Sequence, residues 1–196
     1  QLSAERLAAK LSDRLDPESA EFLNRLTRTI VNQVEALKNL VNAFRDYAKL
    51  PVPHLEPVQI GELIREVLHL YEGAPIRIRT QLPALPPVYG DATQLRQIVH
   101  NLMQNAQDAL LEHSAGGEVT LAARAADDYV ELMVHDNGPG FPAAVLARAF
   151  EPYFTTKSRG TGLGLAIVKK IVDEHGGDVQ LLNRETGGAE ICIRLR

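Results

Sequence analysis

The sequence predicts an α+β fold: a sandwich in which helices cover one face of a mixed sheet, preceded by an α-helical hairpin. Two observations favour it. Apolar residues over 1–50 recur only at helical spacing, whereas over 51–196 helical stretches alternate with stretches of period two. Successive strands joined by short turns pair mainly as hairpins, with helices on one face. We therefore expect a helical hairpin domain over 1–50 and a second domain over 51–196.

Composition and charge exclude several classes of protein. The 196 residues are 45% hydrophobic and 23% charged, which is typical of a globular protein and excludes a disordered chain. A net charge of -4 argues against nucleic-acid binding through phosphate neutralisation. Cys192 is the single cysteine, which excludes a disulfide framework and a cysteine-rich zinc site. The start at Gln1, inside a helical pattern, indicates a fragment, so membrane attachment is expected only through parts that precede it.

The helical hairpin rests on two periodic segments. Leucines four residues apart predict a first helix over 1–15, which Asp16–Ser19 interrupts. A second helix is predicted over 20–49 and stops at Leu50–Pro53, because prolines prevent its continuation. Its apolar seam, with one polar member, consists of Leu23, Leu26, Ile30, Gln33, Leu37, Leu40, Phe44 and Tyr47. Such a seam usually contacts another helix, so we expect dimerisation as a four-helix bundle; the alternative is packing on the second domain.

The second domain follows as alternating helices and strands. A long helix is predicted from Asp91, its N-cap, with Gln94 in the capping-box position, to about Leu111. The other helices are predicted over 60–71, 143–149 and 162–174, and the strands over 76–79, 118–124, 129–136, 178–182 and 189–195.

Asn101, Asn105 and Asp108 lie on one flank of the long helix. Asparagine is a mediocre helix former, so two asparagines one turn apart need an explanation. One explanation is a polar flank that faces water. The other is a pair of carboxamide oxygens directed into a cleft, where hard oxygen ligands suit Mg²⁺.

A second candidate is the segment Asp136–Gly140, at the end of a predicted strand. Asp136 shares the parity of the strand's apolar residues, so its carboxylate should be buried and should need a hydrogen-bond donor. The exocyclic amine of adenine would supply one, and glycines at 138 and 140 would let the backbone approach a flat ring. The alternative is an Asx or type II turn that closes the strand.

The third candidate is a glycine-rich run over 157–165 that leads directly into a helix. Backbone N–H groups and the macrodipole at a helix N-terminus favour an anion, and Lys157, Arg159 and Thr161 would add charge and donors. The glycines at 160, 162 and 164 match neither a Walker A loop nor a dinucleotide fingerprint. The alternative is a flexible linker.

Together these features resemble the ATP-binding domain of sensor histidine kinases, within the group that includes gyrase, Hsp90 and MutL. The N, G1, F and G2 boxes of that family match 101–106, 136–140, 150–157 and 160–165, and the resemblance covers about 55–196. It implies a Bergerat-type α/β sandwich. The hairpin resembles the end of the first helix and the whole second helix of the kinase dimerisation and histidine-phosphotransfer domain, and 1–7 with 50–53 resemble the nitrogen-regulatory, NtrY-like branch.

The resemblance assigns roles to residues of the three candidates. Asn105 would hold Mg²⁺ that bridges the ATP phosphates, with assistance from Asn101. Asp136 would bind the adenine amine, beside a wall shaped by Gly138 and Gly140. The phosphate loop and the lid that orders over nucleotide would comprise Phe150, Phe154, Lys157, Thr161, Gly162 and Gly164.

Two departures from the family pattern affect the chemistry. Hydrolysing relatives have a glutamate general base where this chain has Asn101, which cannot accept a proton, so phosphoryl transfer is favoured over hydrolysis. Gly187–Ala189 lacks the threonine common in the last box, which removes one expected hydrogen bond to the base.

The implied activity is that of a histidine protein kinase. The γ-phosphoryl group of ATP would pass to a histidine upstream of Gln1 and then to an aspartate of a response regulator, while residues of this chain only position ATP. The intact protein would be a homodimer whose cytoplasmic part is represented here, held at a bacterial inner membrane by preceding segments. The alternatives are an ATPase of the same superfamily and a nucleotide-sensing dimerisation module without kinase activity.

Overall fold

The computed structural model describes residues 6, 10–11, 15–48, 50–111, 116–126, 128–157 and 160–196. Most of the predicted first helix over 1–15 therefore lies outside the described residues. The chain divides into two compact units, one comprising Gln1–Lys49 with Lys157–Thr161 and the other Leu50–Thr156 with Gly162–Arg196. No helix of the described residues combines the length and apolar character needed to cross a membrane.

The first unit is dominated by helix α1, Pro17–Ala48, of 32 residues. Proline suits the first turn of a helix, where its missing N–H is not needed, and the Asp16 carboxylate accepts the Ser19 N–H at 3.1 Å. The predicted seam lies along α1. Its side chains at Ile30 and Leu37 are 56% and 61% exposed in the described chain.

The second unit contains a five-stranded sheet whose strands are β2 Arg77–Gln81, β4 Glu118–Ala125, β5 Val130–Asp136, β6 Asp178–Asn183 and β7 Ala189–Leu195. Their order in the sheet is β2-β4-β5-β7-β6. Neighbouring strands are antiparallel except β2 and β4, which are parallel. The sheet is therefore mixed, as predicted, and the parallel pair is possible because a helix lies between the two strands in sequence.

A small second sheet was not predicted. Strands β1, Glu56–Val58, and β3, Val88–Gly90, pair antiparallel. Each has three residues, too few for an apolar alternation to stand out in the sequence.

Helices pack against the five-stranded sheet through an apolar core. The helices of this unit are α2 Ile60–His69, α3 Ala92–Leu111, α4 Ala143–Leu146 and α5 Gly164–Glu174. The long helix α3 contacts β4 and β5, while α5 contacts β6, and α3 packs between α2 and α5. Leu95, Ile98 and Leu102 of α3 are almost fully buried, as are Leu121 and Leu132 of the sheet.

Candidate functional site

Asp136 ends strand β5 with its carboxylate on the core side of the sheet. The residue is 8% exposed, as its strand parity predicted. Its Oδ1 accepts the N–H of Gly138 at 2.8 Å and that of Ala189 at 3.3 Å. Among the described residues no hydrogen bond is donated to Oδ2, so one carboxylate oxygen is held by backbone while the other is left for a donor from outside the protein.

Two glycines leave room around this carboxylate. A Cβ at Gly138 would stand 2.9 Å from Asp136 Oδ1, and a Cβ at Gly188 would stand 1.8 Å from the Asp136 carbonyl oxygen. Gly188 also has a φ of +86°, in the region that favours glycine. The backbone of the β6–β7 turn therefore lies directly against the end of β5, where a side chain could not fit.

Gly140 sits in a turn that Asn183 fastens to the sheet. Its φ is +72°, and a Cβ there would be 2.7 Å from Asn183 Oδ1. Asn183 accepts the Phe141 N–H at 2.8 Å and donates its Nδ2–H to the Phe141 carbonyl at 2.7 Å. The segment after Asp136 thus has a fixed path.

On the flank of α3 that carries Asn101 and Asn105, the Asn105 side chain faces the start of α5. A Cβ at Gly164 would be 3.5 Å from Asn105 Nδ2, an ordinary contact distance. Asn101 Nδ2 is buried and has no hydrogen-bond partner among the described residues. A buried donor without a partner is unfavourable, so this flank is suited to a ligand that accepts hydrogen bonds.

The N-terminus of α5 contributes positive potential to the same place. Leu163, at the N-cap position, is fully buried, and its apolar side chain makes no capping hydrogen bond. The intrahelical ladder begins with the Ile167 N–H, which donates to the Leu163 carbonyl at 2.8 Å. Backbone N–H groups of the first turn of a helix favour an anion.

The segment over 150–154 is joined to the glycine-rich run at its base. Tyr153 adopts a left-handed φ of +66°, and its N–H donates to the Gly162 carbonyl at 2.9 Å. Gly162 also has a positive φ, and a Cβ there would be 2.5 Å from the Tyr153 carbonyl carbon. The backbone at Tyr153 therefore lies directly against the backbone at Gly162.

Arg148 lies over the ring of Phe154, which is partly buried, and pairs with Glu151. The Arg148 guanidinium lies 4.3 Å from the centre of the Phe154 ring and 2.7 Å from Glu151 Oε2. The hydrogen bond from Arg148 lowers the pKa of Glu151. Phe150 is also partly buried.

The predicted residues of the second unit are placed in two groups. Asp136, Gly138 and Gly140 lie at the end of β5, while the Asn105 side chain lies beside Gly164 at the start of α5. Lys157 and Thr161 belong to the other compact unit and are not placed with this group.

Sequence reasoning missed part of this arrangement. Gly188, Ala189 and Asn183 hold the Asp136 turn but were not predicted as site residues. The signal for them was the Gly187–Gly188 pair between two predicted strands, which is typical of a tight turn.

A divalent cation beside Asn101 and Asn105 would need oxygen ligands from a bound phosphate compound as well as from the protein. No group of three or more histidine, cysteine, aspartate and glutamate residues in the described ranges is arranged to hold a metal ion. Carboxamide oxygens of Asn101 and Asn105 are ligands that Mg²⁺ accepts, and it usually completes its shell with phosphates and waters. The donor set therefore fits Mg²⁺ bound together with a phosphate ligand.

A cavity of about 490 Å³ lies elsewhere, between the end of α2 and strand β2. Its lining includes Arg65, Tyr71 and Ile78 but none of the predicted site residues. The residues around Asp136 and the start of α5 are the better candidate for a functional site than this cavity, because they include a buried carboxylate and a helix N-terminus.

Comparison with known proteins places this site in a family. A family described as histidine kinase-, DNA gyrase B-, and HSP90-like ATPases matches residues 90–196. An NtrY-like sensor histidine kinase of Rickettsia conorii is 35% identical over 196 residues, which cover 98% of this chain and 32% of that relative. The chain thus spans about a third of the length of the curated relatives it first matches.

Solved structures show the same fold. A nucleotide-free catalytic domain of the histidine kinase ThkA matches 72% of this chain and 95% of its own, with a TM-score of 0.66 and 33% identity. ThkA in complex with the response regulator protein TrrA matches 98% of this chain and 56% of its own, with a TM-score of 0.74 and 29% identity. These findings confirm the predicted fold class and the resemblance to sensor histidine kinases of the NtrY-like branch.

Proposed function

The chain belongs to the family of histidine kinase-, DNA gyrase B-, and HSP90-like ATPases, and from this premise we propose that it is the ATP-binding catalytic region of a sensor histidine kinase. The observation that carries the proposal is the buried Asp136 carboxylate, with one oxygen held by backbone N–H groups, at the end of β5. The sequence identity with an NtrY-like sensor histidine kinase favours kinase activity over the other activities of the family.

Asp136 recognises the base of the nucleotide. Its Oδ2 accepts a hydrogen bond from the exocyclic amine of adenine, while Oδ1 stays bound to the N–H groups of Gly138 and Ala189. Because the carboxylate is almost excluded from water, a ligand without this donor leaves it unsatisfied, which favours adenine over a base that presents a carbonyl there.

The phosphates bind where α3 meets α5. The N–H groups of the α5 first turn donate to phosphate oxygens, and the Asn101 carboxamide donates its buried N–H to the same group. Asn105 would hold Mg²⁺ through its side-chain oxygen, and the ion would supply positive charge to the phosphates.

The reaction proposed is transfer of the γ-phosphoryl group to a histidine that precedes this chain in the intact protein, and then to an aspartate of a response regulator. The structural match to a kinase bound to a response regulator supports such a partner. Asn101 stands where a general base would activate water, and its carboxamide cannot accept a proton. The residues of this chain therefore act by positioning and charge neutralisation.

The helical unit is proposed to form the homodimer. The apolar seam of α1 is exposed, and a 32-residue helix with such a seam is stabilised by burying it against other helices. Residues 50–53 would lead from this dimer to the catalytic unit. Attachment to a membrane, as expected for an NtrY-like sensor, would involve parts of the protein outside this chain.

Isothermal titration with a nonhydrolysable ATP analogue and Mg²⁺ tests the proposal. We expect binding by the wild-type chain and a loss of about tenfold or more in affinity for Asp136→Ala, because a charged hydrogen bond is removed. Asp178→Ala, an exposed aspartate at the start of β6, is the matched control and should bind normally. Absence of binding by the wild type, or equal affinity of Asp136→Ala, would contradict the proposal.

A further inference from the structure

Helices α3 and α5 are connected at both ends, and only one end is at the proposed nucleotide site. At that end the Asn105 side chain of α3 lies beside Gly164, the first residue of α5, where an added Cβ would be 3.5 Å from Asn105 Nδ2. At the other end the N–H of Asp91, just before α3, donates to Nε2 of His175, just after α5, at 2.9 Å. The two helices therefore run antiparallel, and the length of α5, about 16 Å, separates the two connections.

His175 is held in one orientation and one tautomer. The residue is 8% exposed, and its Nδ1 lies 2.8 Å from the Ile171 carbonyl oxygen, one turn earlier in α5. A carbonyl only accepts, so Nδ1 carries the hydrogen, and Nε2 has the lone pair that receives the Asp91 N–H. Both ring nitrogens are thus used.

The Asp91 N–H depends on this histidine. Asp91 Oδ1 accepts the N–H groups of Thr93 and Gln94, as predicted for an N-cap. In a capping box Gln94 Oε1 would accept the Asp91 N–H in return, but Oε1 has no hydrogen-bond partner among the described residues, while Nε2 donates to the Pro51 carbonyl at 2.8 Å. His175 therefore takes the place that the capping box assigns to Gln94.

The ring also fills space at the junction of β3 and α3. A Cβ at Gly90 would be 3.1 Å from His175 Cδ2 and 2.7 Å from Leu95 Cδ1. The glycine thus lets the imidazole approach the backbone closely enough to accept the Asp91 N–H. A rigid contact at this end fixes how the two helices diverge toward the other end.

We propose that His175 is a positioning residue for the phosphate-binding part of the site, acting through the spacing of α3 and α5. The inference rests on the proposed function. Asn105 and the α5 N-terminus lie on different helices, so their separation depends on the far contact, whereas Asp136 and its glycines lie on the sheet and its turns. Loss of the His175 bond should weaken binding of the triphosphate and leave binding of the base unchanged.

The test compares two ligands on the whole chain: a nonhydrolysable ATP analogue with Mg²⁺, and adenosine. His175→Phe keeps an aromatic ring and removes the acceptor, which leaves the partly buried Asp91 N–H unpaired. We expect affinity for the analogue to fall about tenfold while that for adenosine is unchanged. His175→Gln, which retains an acceptor and a donor, should recover part of the affinity and serves equally if His175→Phe does not fold.

His100→Phe is the matched control, since His100 lies on α3 but binds the Tyr71 hydroxyl at 2.8 Å rather than α5. It should lower thermal stability without changing the ratio of the two affinities. An equal loss for both ligands in the His175 variants, or the same change in ratio for His100→Phe, would overturn the inference. A wild-type chain that binds neither ligand would overturn the proposed function, and the inference with it.

Discussion

At Asp136 the chain keeps a carboxylate almost out of water while satisfying only one of its oxygens from within the described residues. A buried carboxylate is unfavourable unless it accepts hydrogen bonds, and the two backbone N–H groups that reach Oδ1 supply them. The second oxygen, Oδ2, is the atom proposed to accept a hydrogen bond from the ligand.

The glycines around Asp136 could be predicted only in part. Gly138 and Gly140 follow Asp136 directly, so the sequence relates them to it. Gly188 is 52 positions away and reaches Asp136 because β5 pairs with β7. That relation depends on strand pairing, which the order of elements in the sequence does not determine.

Gly188→Ala should destabilise the fold and abolish nucleotide binding, because its Cβ would overlap the Asp136 carbonyl oxygen. We expect a loss of about 2 kcal/mol or more in the free energy of unfolding. Gly187→Ala is the control, since Gly187 has a similar positive φ of +91° but no atom within 4 Å of the added carbon. Urea unfolding and titration with the ATP analogue measure both effects, and equal behaviour of the two variants would contradict the steric explanation.

At the scale of elements, the sequence was most informative where a periodic pattern was long. The long helix was predicted from Asp91 to about Leu111 and is described over Ala92–Leu111, and β7 has the bounds that its alternation predicted. Three-residue strands such as β1 have too little pattern. The predicted capping box is confirmed only in part. Asp91 caps α3, but a distant histidine, rather than Gln94, binds the Asp91 N–H. Tertiary contact replaced the local partner.

Helix α1 supports a prediction of its own. Ile30→Asp places a charge in the exposed seam and should raise the dissociation constant of a homodimer about tenfold or more, because an apolar side chain of each protomer loses its burial. Asn32→Asp, on the opposite side of α1, adds the same charge and should leave association unchanged. Sedimentation equilibrium over a range of concentrations measures this. A wild-type chain that stays monomeric throughout would contradict dimerisation through α1.

At the scale of the whole molecule, Tyr71 and Cys192 make the stability of the fold depend on pH in the alkaline range. Burial, with a smaller contribution from the charge of Asp108, raises the pKa of Tyr71 from 10.0 to about 12. Burial also raises the pKa of Cys192 from 9.0 to about 12, and a hydrogen bond to Glu131 adds to it. In both cases the folded chain favours the neutral form of the group. Each group therefore stabilises the folded state relative to the unfolded state only at a pH low enough to keep it protonated.

The stability of the chain should therefore fall as the pH rises from about 9 toward about 12, the interval between the unfolded and folded pKa values. Below this interval both groups are protonated in either state and contribute no pH dependence. Tyr71→Phe should remove the part of the decline that begins near pH 10, because phenylalanine has no proton to lose. Tyr89→Phe, at a tyrosine that is 63% exposed, should retain the full decline. Urea midpoints measured across the interval decide the matter: identical slopes for Tyr71→Phe and the wild type would show that Tyr71 ionises as readily in the folded chain as in the unfolded one.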